Sequence, residues 1–291
     1  MSRTLLLGSG WHPPLFRSEI KALFGEIEVL HPRVVLLEDS IDETFLNRIS
    51  RAALVDDLLY FGGYCYGSDF SSIVDEISDW CKEQLSPGSF AVRSKKLGSG
   101  VGNISRRDLE KEVGAKLFSE INPVNLHNPD FEIVIIVAGE VEGEVHRDSF
   151  QFDPCTIWGI REKNWDKSDY LGRQPMERPF FKPISLEPRL AKLLISLAHK
   201  EENTPQNFID PFCGTGGIAI EALIQGMDIF VSDLDPTMVH GVKKNLSWAI
   251  DGRQNLIRVE KCSVKDIANL WGPKENSIFV FDPPYGRNAW K

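Results

Sequence analysis

Most of the candidate catalytic and cofactor-binding residues of this sequence lie in two short turns, each of which begins with an aspartate. The first is Asp210-Pro-Phe-Cys-Gly-Thr-Gly-Gly217, and the second is Asp282-Pro-Pro-Tyr285; each directly follows an apolar run. Glycines let a ligand approach the main chain closely, and a strand, glycine turn and helix in succession are typical of nucleotide-type cofactor sites. A third carboxylate, Asp233, ends another apolar run about twenty residues later, the spacing at which an acidic residue can bind ribose hydroxyls.

Together these turns resemble those of the class I S-adenosylmethionine (AdoMet) methyltransferases, in the branch that methylates exocyclic amino groups. The first turn is similar to their first AdoMet-binding motif, and the second to their catalytic tetrapeptide. The resemblance implies that the Asp282 carboxylate and the Pro283 carbonyl accept hydrogen bonds from the target amine, and that Tyr285 stacks on the base. Such acceptors would localise the nitrogen lone pair and aim it at the methyl group.

The same resemblance implies the cofactor-binding residues. The glycine turn would line methionine and ribose, and a proline-containing segment upstream would line the methionine end of the cofactor. The implied residues are Pro183, Asp210, Cys213, Gly214, Thr215, Gly216 and Asp233. The adenine contact departs from the family pattern, because Ser263 holds a position where the family often has Asp, and Asp266 follows three residues later. Ser263 and Asp266 are both candidates for that contact.

A basic cluster stands out in an acidic chain. The net charge is −9, yet the stretch from Ser89 to Phe118 holds seven basic residues against three acidic ones. Cations at a strand end and a helix start can neutralise phosphates, although a solvated helix face explains the helical part equally well. The candidate RNA-binding residues are Arg93, Lys95, Lys96, Arg106 and Arg107.

The residues around this cluster resemble a THUMP domain, an RNA-binding module of tRNA-modifying enzymes. The matching residues are Phe90-Ala-Val-Arg93, the helix that begins at Ser105-Arg-Arg107, and Asn125-Leu-His-Asn-Pro-Asp130. The resemblance implies tRNA as the partner of this half of the chain.

The hydrophobic periodicity predicts an α+β N-terminal region followed by an α/β Rossmann-like methyltransferase domain. The predicted parts are a ferredoxin-like unit at 1–60, a THUMP-like domain at 61–150, a linker at 151–177 and the methyltransferase domain at 178–291. Apolar runs predict four parallel strands in the last domain, whereas the family sheet has seven. We therefore expect that the chain is truncated at its C-terminus, and that a missing C-terminal segment or a small activator subunit completes the sheet. The protein is otherwise expected to be a monomer.

Composition bears on the environment of the protein. A hydrophobic content of 42% and a charged content of 26% are typical of globular proteins. The longest purely apolar run, Ile133 to Ala138, has six residues, so we expect no membrane span. The five cysteines form no C-x-x-C pair, which favours a reducing cytoplasm and predicts neither disulfides nor a bound metal.

The THUMP-like half and the segment from Arg178 to Ala198 are similar to tRNA (guanosine-10 N2) methyltransferases. This resemblance implies AdoMet-dependent methylation of the exocyclic N2 amine of a guanosine in tRNA, at position 10. Two alternatives stay open. The same tetrapeptide serves N6-adenine methylation of DNA and N2-guanine methylation of ribosomal RNA, and the missing strands would also fit a non-catalytic RNA-binding fragment.

Overall fold

A computed structural model describes residues 3–67, 69–140, 152–165, 170–183, 185–199, 206–250, 252, 254–272 and 274–283. The chain divides into two compact units. The first comprises residues 1–17, 26–46 and 54–167, and the second comprises 18–25, 47–53 and 168–291. None of the described helices is long and apolar enough to cross a membrane.

A seven-stranded sheet in the order β2-β3-β1-β4-β7-β6-β5 organises the first unit. Its neighbouring strands are antiparallel except β5 and β6, which are parallel. The strands are β1 Thr4–Gly8, β2 Glu28–His31, β3 Val34–Leu37, β4 Val55–Tyr66, β5 Phe90–Leu97, β6 Phe131–Ala138 and β7 Cys155–Arg161. The first four helices of the chain are α1 Pro13–Phe24, α2 Glu43–Ile49, α3 Phe70–Gln84 and α4 Arg106–Leu117.

Both faces of this sheet are apolar. On one face α3 and α4 pack against β5, β6 and β7, and Ile73 and Ile77 of α3 lie in this core. The opposite face carries a second core that runs from β1 and β3 to β6, with Leu5, Leu36 and Val134 among its members. The predicted α+β class of the N-terminal region is therefore confirmed.

The structure differs from the predicted domain boundaries in two places. The predicted boundary between residues 60 and 61 falls inside β4, so the predicted ferredoxin-like unit and THUMP-like domain share one continuous sheet. The predicted linker at 151–177 contains β7, which pairs with both β4 and β6. These pairings join residues far apart in sequence, and local periodicity cannot reveal them.

The second unit is built on a parallel four-stranded sheet in the order β10-β9-β8-β11. Its strands are β8 Asn207–Asp210, β9 Asp228–Asp233, β10 Ile257–Lys261 and β11 Ser277–Phe279, which agree in number with the four strands predicted from the sequence. Its helices are α5 Pro188–Leu197, α6 Gly217–Ile224, α7 Pro236–Ala249 and α8 Ile267–Trp271. Every residue of α6 except Ile224 is buried, because this helix packs into the core of the unit. The predicted Rossmann-like class is confirmed.

Helix α5 also holds the short segment 47–53 within this unit. The Lys192 ammonium donates to the Ser50 carbonyl (2.7 Å), and the Ser196 hydroxyl donates to the Arg51 carbonyl (2.7 Å). Burial lowers the pKa of Lys192 to about 8. These donors satisfy carbonyls just beyond the C-terminal end of α2, where a helix leaves acceptors without intrahelical partners.

Candidate active site

The topology of the parallel sheet fixes where a ligand can bind. The chain runs from β8 to β9 and β10 on one side and then returns to β11 on the other side of β8. In open α/β sheets a ligand binds outside the carboxyl ends of the strands, at the point where the strand order reverses. Asp210 is the last residue of β8, and Asp282 follows β11 closely. The two predicted turns therefore meet at this point.

The glycine turn, which we call the glycine loop (Asp210–Gly217), needs its glycines for two different reasons. Gly216 has a φ of +82°, and a Cβ at that position would lie 2.4 Å from a methyl group of Val242 on α7. Gly214 has a φ of +49°, and a Cβ there would meet only the Phe212 carbonyl, at 4.0 Å. Gly216 therefore permits close packing against α7, whereas Gly214 borders open space that a ligand can occupy.

Asp233, at the end of β9, holds the glycine loop in place. One carboxylate oxygen accepts the N–H of Gly214 (2.9 Å), and the other accepts the N–H of Asp235 (2.9 Å). Each carboxylate oxygen has two acceptor sites, so both can still accept a ribose hydroxyl. The ribose contact of Asp233 stays a prediction, and its contact with the loop was not foreseen.

Three carboxylates converge at this end of the sheet. Asp210 is only 2% exposed, and its Oδ1 accepts the N–H of Phe212 (2.9 Å). Burial raises the pKa of Asp210 to about 8; the hydrogen bond from Phe212 opposes the rise, and the charges of Asp233 and Asp282 add to it. No basic side chain among the described residues forms an ion pair with Asp210. A cationic ligand would relieve the repulsion between these groups.

The other predicted residues of the glycine loop face different partners. Burial, together with the charges of Asp210 and Asp233, raises the pKa of the Cys213 thiol well above its usual value, so this thiol is neutral. The Thr215 hydroxyl is buried and lies 2.9 Å from the Ser185 hydroxyl. Thr215 therefore connects the loop to the segment that carries Pro183, which is itself exposed. The cofactor contacts predicted for Cys213, Thr215 and Pro183 stay predictions.

Ser263 and Asp266 lie in a turn beyond β10. The N–H of Cys262 donates to the Asp233 carbonyl (3.2 Å), which brings this turn beside the end of β9. The Ser263 hydroxyl accepts the N–H of Lys265 (3.3 Å), and the Ser263 carbonyl accepts the N–H of Asp266. Ser263 thus shapes the turn, and which of the two residues meets adenine stays a prediction.

Two apolar side chains at these strand ends were missed. Leu234 follows β9 and is 51% exposed, and Val264 follows β10 and is 45% exposed. Apolar residues exposed at the ends of adjacent strands are suited to pack on the faces of a flat base. In the sequence, the position of each residue directly after a predicted cofactor-binding residue, Asp233 or Ser263, could have identified it as part of the site.

The predicted catalytic residues are only partly described. Asp282 is half-buried and Pro283 is exposed, while Tyr285 lies outside the described residues. Phe281 of the same turn meets Phe212 of the glycine loop, with ring centroids 5.5 Å apart and ring planes 51° apart. This contact joins the two turns, and its energy is about 0.5–1.5 kcal/mol beyond the area that the rings bury.

The predicted RNA-binding cations fall into two groups. Lys95 forms an ion pair with Asp57 (2.6 Å), Arg93 donates to the Leu126 carbonyl, and Arg106 donates to the Ser94 carbonyl. Lys96 and Arg107 are exposed. Asp57 is buried and also accepts two hydrogen bonds from Arg161. Lys95 is therefore part of a partly buried ionic network around Asp57, a role that the sequence did not indicate.

Comparison with known proteins assigns one family model to the part of the chain that carries the basic cluster and another to the part that carries the glycine loop. The THUMP domain family model matches residues 67–141, and the RMKL-like methyltransferase domain model matches residues 175–290. The tRNA (guanine(10)-N2)-dimethyltransferase of Methanothermobacter thermautotrophicus is 31% identical over 293 residues, which cover 98% of this chain and 78% of that protein. The protein of the same name from Pyrococcus abyssi is 28% identical over 224 residues, which cover 77% of this chain but only 60% of that protein.

The fold is also similar to that of a solved structure, TrmN from Thermus thermophilus, with a TM-score of 0.52 and 19% identity over 98% of this chain and 80% of that one. The sheet order, the glycine loop and the matched models define a class I methyltransferase domain, whose cofactor is AdoMet, on a chain with a THUMP domain. The open space beside Gly214 and the three converging carboxylates fit that cationic cofactor. The chain belongs to the tRNA (guanine(10)-N2)-dimethyltransferase family.

Proposed function

We propose that this chain catalyses AdoMet-dependent methylation of the exocyclic N2 amine of a guanosine in tRNA, at position 10. One observation carries the proposal. Asp282 follows β11 at the point where the strand order reverses, and its charge acts on Asp210 at the base of the glycine loop. A carboxylate there can accept a hydrogen bond from an amine beside the cofactor. The names of the relatives from Methanothermobacter and Pyrococcus support guanine N2 as that amine.

The residues of the glycine loop and its neighbours account for cofactor binding. When bound, AdoMet supplies an electrophilic methyl group on a positively charged sulfur. Gly214 leaves room for the ligand beside the main chain, and Asp233 accepts ribose hydroxyls while it holds the loop. Leu234 and Val264, exposed at the strand ends, would pack on adenine. The negative charge of the three converging carboxylates favours the cation in a partly buried site.

The Asp282 turn acts on the target amine. The lone pair of the guanine N2 amine is delocalised into the ring, which makes the amine a poor nucleophile. Hydrogen bonds from its two N–H groups to the Asp282 carboxylate and the Pro283 carbonyl localise that pair and orient it. Proline fixes φ, so the carbonyl is held in a set direction. A stacked base must first be turned out of its helix, and Tyr285 would then stack on it.

The THUMP domain supplies the RNA-binding surface. Lys96 and Arg107 are exposed, so their charges can reach phosphates at little cost in lost internal contacts. The Lys95 ammonium is already paired with the buried Asp57 carboxylate, which makes Lys95 the weaker candidate. A tRNA substrate and five free thiols fit an enzyme of the cytoplasm.

The experiment that tests the role of Asp282 compares two carboxylate-to-amide variants. Asp282→Asn should lower the rate of methyl transfer to tRNA by at least about a hundredfold, while AdoMet affinity falls by no more than about tenfold, because only one of the three nearby carboxylates is removed. Asp79→Asn, at an exposed position on α3, is the matched control and should leave both quantities unchanged. If Asp282→Asn lowers cofactor affinity and turnover by the same factor, Asp282 binds the cofactor and does not orient the amine.

A further inference from the structure

A buried asparagine on α7, absent from the predicted site, bonds to two segments of the cofactor site at once. Asn245 is fully buried in the middle of the unit. Its Oδ1 accepts the N–H of Phe180 (2.8 Å), and its Nδ2 donates to the carbonyls of Phe180 (2.8 Å) and Thr215 (2.8 Å). Thr215 belongs to the glycine loop, and Phe180 belongs to the chain just upstream of α5, whose described residues 178–183 and 185–186 we call the upstream segment.

The chemistry of these contacts requires a primary amide. Phe180 offers one donor and one acceptor, and Thr215 offers a second acceptor, so the side chain between them must supply one acceptor and two donors. An aspartate of the same shape supplies only acceptors, and a leucine of similar volume supplies neither. Loss of the amide would leave the Phe180 and Thr215 carbonyls buried without partners, which costs more than the net value of each bond.

Other contacts fix the upstream segment against the same two elements. The Phe180 ring lies where a Cβ of Gly241 on α7 would stand, 2.0 Å from the ring. The Arg178 guanidinium donates to the Leu186 carbonyl (3.1 Å), which closes the segment on itself. The Ser185 hydroxyl lies 2.9 Å from that of Thr215. The upstream segment and the glycine loop therefore behave as one surface, with Asn245 as the buried connection between them.

We propose that Asn245 is a positioning residue for AdoMet, which acts by holding the upstream segment in register with the glycine loop. The proposal rests on the proposed function, because it assumes that the glycine loop binds AdoMet. The part of the ligand that would depend on this register is the amino-acid end, because the family resemblance implies that the upstream segment and the glycine loop line it. The adenosine end would be bound by residues after β9 and β10, whereas the described side-chain hydrogen bonds of Asn245 go to Phe180 and Thr215. Asn245 thus determines affinity for the amino-acid part of the ligand.

Two ligands separate this role from a general loss of stability. S-adenosylhomocysteine carries both ends of the cofactor, whereas 5′-methylthioadenosine lacks the amino-acid end. Dissociation constants for both are measured by calorimetry, well below the melting temperature of every variant. Asn245→Asp and Asn245→Leu should bind S-adenosylhomocysteine at least about tenfold more weakly, and 5′-methylthioadenosine within about threefold of the unaltered chain.

The matched control is Ser196→Ala, which removes another buried hydrogen bond from the same unit, to the Arg51 carbonyl. Its affinities for both ligands should be unchanged. If the Asn245 variants do not fold, Ser185→Ala carries the test, because it removes the hydroxyl contact between the same two segments and, besides that, only a longer hydrogen bond from the Lys182 N–H (3.3 Å). This variant should weaken S-adenosylhomocysteine binding by about threefold without affecting 5′-methylthioadenosine.

Three results would overturn the proposal, and they are distinguishable. Unchanged binding of S-adenosylhomocysteine by Asn245→Leu would show that the connection has no role in affinity. An equal loss for both ligands would show a role in stability only. If the unaltered chain bound neither ligand, the assignment of the cofactor site would itself be wrong.

Discussion

Binding of the cofactor should release a proton, because Asp210 is buried beside two other carboxylates. Its pKa of about 8 means that the carboxyl is mostly protonated in the ligand-free protein at neutral pH. A cationic ligand favours the ionised form and lowers that pKa. The ligand therefore competes with a proton, and its affinity should fall as the pH falls from 8 towards 6.

The size of the effect follows from the fraction of ionised Asp210. With a pKa near 8, about half of the carboxyl groups are ionised at pH 8 and about one in a hundred at pH 6, so the apparent Kd for AdoMet should rise by about fiftyfold over this range. The full effect requires that the pKa in the complex lies below 6.

The assay is calorimetric titration of AdoMet at half-unit steps from pH 6 to pH 9, with Asp210→Asn as the comparison. The amide oxygen can still accept the N–H of Phe212, so the loop is kept while the titrating group is removed. The titration of AdoMet itself is common to both proteins and cancels in the ratio of their Kd values. That ratio should change about fiftyfold between pH 6 and pH 8. A ratio that is constant with pH would refute the account of Asp210.

Three further predictions concern stability and RNA binding. Gly216→Ala should lower the free energy of unfolding by about 2–4 kcal/mol, because the new methyl group meets both a positive φ and an occupied space; Gly226→Ala, with a φ of +85° but open space, should cost only about 1–2 kcal/mol. The double change of Lys96 and Arg107 to Ala should weaken tRNA binding and reduce the slope of log K against log salt by about 1–2. Asp57→Asn should cost about 1–3 kcal/mol in urea unfolding, because it removes the buried carboxylate that the partly exposed Lys95 and Arg161 share.

For each of these predictions a specific result would contradict it. Equal costs for the two glycine variants would show that the contact with α7 at residue 216 adds nothing to the backbone strain. An unchanged salt slope for the double variant would move RNA binding to other residues. A cost of less than about 1 kcal/mol for Asp57→Asn would mean that the network contributes no more than an exposed ion pair.

The parts of the fold that were predictable are those encoded by neighbouring residues. The glycine loop was predictable because an apolar strand, three glycines and an apolar helix follow one another in sequence. In the second unit β8 and β9 were predictable because buried parallel strands are almost wholly apolar, whereas β10, at the edge of the sheet, alternates apolar and charged residues over Ile257–Lys261. By contrast β7, Cys155–Arg161, has no clear alternation, and its place in the sheet depends on β4 and β6, which lie far from it in sequence.

In the candidate site, too, the residues marked by their neighbours in sequence were predicted, and those defined by long-range contacts were not. The carboxylates at 210, 233 and 282 were identified because each closes an apolar strand, and strand ends carry ligands in this class of fold. Asn245 was missed because an asparagine within a helix has no local signature, and its partners lie 30 and 65 residues away. Lys95 was assigned to RNA because sequence alone could not show its ion pair with Asp57.

The most direct test of the proposed activity is nucleoside mass spectrometry of tRNA transcripts incubated with this chain and AdoMet. Two transcripts are compared, one with guanosine at position 10 and one with adenosine at that position. The account predicts N2-methylated guanosine from the first transcript and no methylated nucleoside from the second. Formation of N6-methyladenosine, or equal methylation of both transcripts, would contradict it.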